Sequence, residues 1–75
     1  MQNIDPRDYE IRIWYSSVPG DDCFIAQVVE WPDLKAHGAT REEAAREIQV
    51  VIELALELAA DHGVQIPEPI RVAHA

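Results

Sequence analysis

The run Gly38-Ala39-Thr40-Arg41-Glu42-Glu43 constrains this chain more than any other six residues in it. Thr40 and Glu43 have the three-residue spacing of a capping box, in which the Thr hydroxyl accepts the Glu43 N–H and the Glu43 carboxylate reaches back to the Thr40 N–H. A helix is therefore predicted to begin at Arg41. Gly63 supplies a left-handed stop and Pro67 lies beyond it, so the helix should end near His62. Upstream, Trp31-Pro32 ends an extended run by removing a backbone donor, and Gly38 marks the turn into the helix.

Before this junction the pattern has a period of two. Tyr9, Ile11, Ile13 and Tyr15 alternate with Glu10, Arg12 and Trp14, which predicts a first strand with one buried face. Residues 16–22, Ser-Ser-Val-Pro-Gly-Asp-Asp, have turn chemistry. The apolar run from Cys23 to Glu30 suits a central strand covered on much of both faces. Leu34 to His37 is long enough for a brief third strand, and Ile70 to His74 for a short final one at a sheet edge. Residues 1–8 carry no period and are assigned to a polar, flexible arm. The expected architecture is α+β: a small antiparallel sheet of three to four strands packed on one long helix in the order β-β-β-α-β, in a single domain spanning residues 1–75.

At roughly 100° per residue, Ala44, Ala45, Ile48, Val51, Ile52, Ala55, Leu56 and Ala59 share a broad helix face that should cover the sheet. Glu42, Arg46, Gln49, Glu53 and Glu57 form the opposite stripe. Val50, Leu54 and Leu58 fall beside that stripe and widen the apolar arc to roughly 240°. One sheet face cannot cover so wide an arc. Either the closing segment folds over these residues or a second chain does, and Val50, Leu54 and Leu58 are the candidates for an oligomer interface.

Size points the same way. A chain of 75 residues buries a limited fraction of its surface, and its single cysteine, Cys23, excludes an internal disulfide. A homo-oligomer, dimer or tetramer, is the expectation. Fourteen acidic against six basic residues give a formal charge of −8, which repels phosphate backbones and anionic lipid and attracts a basic partner. Direct nucleic-acid binding is not expected. The helix is interrupted by Glu47, Glu53 and Glu57, so it should not span a membrane, and residues 1–7 lack a signal-peptide pattern. A cytoplasmic location fits the lone thiol.

No residue set has catalytic or metal-ligand spacing, and no cofactor is called for. His37, His62 and His74 are dispersed over a loop, a helix end and the tail. Cys23 reads as a small buried residue, and the Asp21-Asp22 pair as turn acids bonding nearby backbone. Trp31 reads as a lid on the core. For Trp14 two readings stand: a contact anchor on the sheet face away from the helix, together with Arg12, or a side chain covered by the arm or loop.

The order of these features resembles the HicB family of antitoxins and small HicB-like proteins. The resemblance spans about Tyr9 to Pro69 and rests on Pro32-x-Leu34, on Gly38-x-Thr40-x-Glu42-Glu43-Ala44, on the apolar helix, and on Gly63-x-x-Ile66-Pro67-x-Pro69. Leu34 passes through Lys35-Ala36-His37 directly to Gly38, without the Pro-Gly-Cys insert many members carry. The resemblance implies a partial ribonuclease H-like fold and a non-enzymatic role: neutralising a small basic HicA-type toxin, an mRNA-cleaving ribonuclease, by masking its RNA surface. Arg12, Trp14, Asp21, Asp22, Glu30 and Asp33 are the candidate contacts. No helix-turn-helix or ribbon-helix-helix pattern follows, so operator binding is not expected. The alternative is a stand-alone HicB-like oligomeric interaction protein without a toxin. A metal-dependent nuclease, suggested by the ribonuclease H-like likeness and the acids Asp21, Asp22, Glu30 and Asp33, is less favoured, since such chemistry needs acids converging on one point.

Overall fold

A computed structural model describes residues 5–69 of the chain. The expected final strand at residues 70–74, and His74 with it, lies outside the described residues. The observed order is a 3-10 turn at Pro6–Asp8, then β1 (Ile11–Tyr15), β2 (Phe24–Val28), β3 (Lys35–Gly38) and α1 (Arg41–His62). The strands form one antiparallel sheet in the order β1-β2-β3, and the helix lies across one face. This is an α+β fold.

Part of the segment assigned to an arm is structured. Asp5 caps the 3-10 turn, accepting the Arg7 N–H, and Pro6 stands at its first position, where its missing N–H and fixed φ suit the turn. The Arg7 guanidinium also donates to Asp5 at 2.8 and 3.1 Å, holding the Asp5 carboxyl well below its usual range, at about 2.

The register pairs Ile11 with Val28, Ile13 with Ala26 and Tyr15 with Phe24 on the helix side. Ala36 and Gly38 of β3 continue that side beside Ala26 and Phe24. The core under α1 is Tyr9, Ala26, Val28, Ala44, Ile48 and Ile52, with Ile11, Ile13, Phe24, Trp31, Leu34, Val51 and Leu56 packed around it. Trp31 thus joins the core margin, its ring 6.2 Å from that of Tyr9. Among the described residues only the helix side of β2 is covered by another layer. The described residues give no second layer for the two-sided cover expected from this apolar run, because their single helix serves one face; Ile25 and Gln27 are half-buried on the other.

Both helix ends obey local sequence chemistry. Thr40 Oγ1 accepts the Glu43 N–H at 3.0 Å. The Glu43 carboxylate reaches back to the Ala39 N–H at 2.6 Å, one residue earlier than the box pattern predicts, because the chain bends at residues 39 and 40. At the other end Gly63 takes φ 65°, and the N–H groups of Gly63 and Val64 return to the carbonyls of Ala60 and Ala59.

Gly38 sets how closely the helix approaches β3. A Cβ built there would lie 2.6 Å from the Ala44 nitrogen and 2.8 Å from the Glu43 Cβ. Backbone, rather than a movable side-chain tip, blocks the space. Gly38→Ala should therefore cost about 1–3 kcal/mol through forced displacement of the first helical turn, and Thr40→Ala about 1 kcal/mol through loss of the cap. Urea unfolding followed by circular dichroism checks both: the midpoint should fall in each variant, and an unchanged midpoint in Gly38→Ala would contradict the close approach.

Candidate functional site

The six residues named as partner contacts do not form one site; the fold distributes them over three places. Arg12 and Trp14 alternate away from the helix and stand on the open face of β1. Asp21 and Asp22 belong to the β1–β2 loop, and Glu30 and Asp33 to the β2–β3 turn at the opposite end of the sheet.

On the open face the register builds two rows. Trp14 opposes Ile25, which opposes His37; Arg12 opposes Gln27, which opposes Lys35. The Arg12 guanidinium lies 5.1 Å from the centre of the Trp14 ring, a distance at which the ring's negative face attracts the cation. Trp14, Ile25 and Gln27 are half-buried, while Arg12, Lys35 and His37 are exposed. No carboxylate occupies any of these six strand positions, although the chain as a whole carries a charge of −8. Trp14 lies on the sheet face away from the helix, beside Arg12, and is half-buried there, a placement common to both of its readings. Sequence reasoning identified Arg12 and Trp14 but missed Lys35 and His37, whose side of the sheet depends on the β2–β3 register.

The loop acids are engaged locally. Val18-Pro19-Gly20-Asp21 forms a turn closed by the Asp21 N–H to Val18 carbonyl bond at 3.0 Å, with Gly20 at φ 92° as its second central residue requires. Buried Ser16 donates its hydroxyl to Asp21 at 2.8 Å, and the Tyr15 hydroxyl donates to Asp22 at 3.2 Å. At the other end the Glu30 carboxylate accepts the Glu10 N–H, and Gln27 donates to the Pro32 carbonyl at 3.1 Å. These bonds hold the turns in shape.

A groove of about 550 Å³ runs between β3 and the helix, lined in part by Cys23, Lys35, His37, Glu43, Glu47 and Val51. Cys23, expected to be buried, is half-exposed at this groove because it precedes β2 at the loop rather than lying inside the strand. Among the described residues no group of three or more His, Cys, Asp or Glu is arranged to hold a metal ion. None of their helices is long and apolar enough to cross a membrane.

The helix presents a second surface. Val50, Leu54 and Leu58 follow at four-residue spacing and are 47%, 55% and 58% exposed. Residues 64–69 do not cover them. That segment leads toward β1, where the Tyr9 hydroxyl donates to the Pro67 carbonyl at 2.6 Å. Exposed Glu47, Glu53, Glu57 and Asp61 flank the aliphatic row, and no lysine or arginine occurs between Glu47 and Asp61.

Comparison of the chain with protein-family models, with curated proteins and with solved structures finds no match.

Burial raises the pKa of Tyr9 above its usual value, and the nearby carboxylates of Glu30 and Glu68 add to the effect. A group whose pKa is raised by folding contributes full stability below its unfolded pKa and loses it as pH rises through the folded one. Stability should hold up to about pH 10 and fall beyond it. Tyr9→Phe should remove this component of the alkaline loss and cost about 1 kcal/mol at neutral pH through the missing hydrogen bond to Pro67. Urea midpoints measured at pH 7, 9 and 11 for both proteins check the two effects.

Proposed function

We propose that the chain is a non-catalytic protein-binding module of HicB-like type, neutralising a small basic HicA-type toxin that cleaves mRNA. The supporting observation is the pairing of a capped acidic helix, whose aliphatic row is uncovered, with an anionic chain whose loop acids serve turns instead of converging on a reaction centre. Negative charge speeds encounter with a basic partner, while apolar contact slows its release. The candidate contacts Asp21, Asp22, Glu30 and Asp33 rim the two ends of the sheet, and Arg12 and Trp14 lie between them. A partner ribonuclease would be inhibited by occlusion of its RNA surface.

The alternative, a HicB-like protein that functions as a homo-oligomer without a toxin, is favoured by the exposure of Val50, Leu54 and Leu58. Each is already about half covered, so burying the remainder contributes about 1 kcal/mol per side chain. In this reading a dimer or tetramer is the working form.

Both readings are testable on the full chain. Recovered from its native cell, the tagged protein should bring down a stoichiometric small basic protein, and equimolar addition of the chain should abolish that protein's cleavage of RNA. A recovered basic protein whose RNA cleavage is unaffected would overturn the antitoxin reading, and no partner at all would shift the assignment to the stand-alone oligomer. Sedimentation at micromolar concentration should show a species larger than a monomer. Leu54→Lys or Leu58→Lys should convert it to a folded monomer, with the urea midpoint that the natural chain shows when diluted below its association range.

A further inference from the structure

Among the described residues the fold leaves two surfaces with apolar side chains and no layer over them, of opposite charge. One is the open sheet face, where half-buried Trp14 and Ile25 are flanked by exposed Arg12, Lys35 and His37. The other is the outward side of α1, where Val50, Leu54 and Leu58 are flanked by Glu47, Glu53, Glu57 and Asp61. Ile48 and Ile52 point from the helix into the sheet and are fully buried, so the row beginning at Val50 points away from it.

We propose that the open sheet face of one copy binds the outer face of α1 of a second copy, so that the chains associate head to tail. This inference rests on the self-association reading above and goes further by assigning the two surfaces that meet. The docked helix supplies the layer that the sheet lacks, giving helix, sheet and helix in succession. Aliphatic side chains pack on Trp14 and Ile25, and the four carboxylates meet the cations of the sheet. A symmetric helix-to-helix contact is disfavoured, because it sets Glu47, Glu53, Glu57 and Asp61 against their own copies. A symmetric contact between two open sheet faces sets Arg12 and Lys35 against theirs. Only the unlike pairing matches charge as well as apolar area. Because each copy keeps one free surface of each kind, the contact is heterologous, and closure produces a ring.

Two double variants test the pairing: Arg12→Glu with Lys35→Glu, which reverses the sheet face, and Glu53→Lys with Glu57→Lys, which reverses the helix. All four positions are exposed, so both variants should keep the circular dichroism of the natural chain and a urea midpoint close to the one it shows when diluted below its association range. Sedimentation is run on each protein at micromolar concentration. The natural chain should associate, each variant alone should be weakened about tenfold or more, and an equimolar mixture should regain association, because the first variant keeps a natural helix and the second a natural sheet face. A symmetric helix contact would leave the sheet-reversed variant associated, and a symmetric sheet contact would leave the helix-reversed variant associated; either result overturns the proposal while self-association stands. Two monomeric variants that do not recombine also overturn it. A monomeric natural chain removes both self-association and this pairing, without bearing on inhibition of a ribonuclease, which the cleavage assay reads separately.

Discussion

The close approach of the first helical turn to β3 is the contact on which the rest of the fold depends. It requires a residue without Cβ at position 38, since Ala44 and Glu43 backbone occupy the space a side chain would take. Thr40 and Glu43 then satisfy amide groups at that end of the helix. With the start fixed in position and direction, Ala44, Ile48 and Ile52 fall in line over Ala26 and Val28, and the core follows from the helical repeat. The same repeat turns Val50 and Leu54 to the other side of the 22-residue helix, where they stay exposed while Ile48 and Ile52 are buried.

Features encoded within a few neighbouring residues were legible in the sequence, and those that depend on distant partners were not. The helix limits, Arg41 and His62, follow from Thr40 and Gly63 acting locally. Each strand is a residue or more off its expected limits, since strand ends are set by which partner residues remain in reach. The turn at Pro6–Asp8 was missed although its signal, an Asp followed by Pro, is present. The bond between Tyr9 and Pro67 joins positions 58 residues apart and has no local signature. The open sheet face was half legible: alternation assigned Trp14 and Arg12 to it, whereas Lys35 and His37 needed the pairing of a four-residue strand.

Charge is unevenly placed on this molecule. The net value of −8 describes attraction at a distance, yet the strand positions of the open sheet face carry only cations and neutral groups. A basic partner is better matched by the helix and by the loop acids than by Trp14 and its neighbours. In the assembly proposed above, a sheet-to-helix contact would leave the acidic rims at the two ends of the sheet open to a cationic protein.

Arg41 adds a further property to the sheet. Its guanidinium lies 4.9 Å from the centre of the Phe24 ring and donates to the Ile13 carbonyl at 3.4 Å. In the antiparallel pattern fixed by the bonds from Val29 to Glu10 and from Ser16 to Cys23, Ile13 directs its carbonyl away from β2, toward the outer side of β1. A charged group from the helix therefore occupies an acceptor that an incoming strand would otherwise use. One acceptor on that margin is thus withheld from pairing with a strand of another chain.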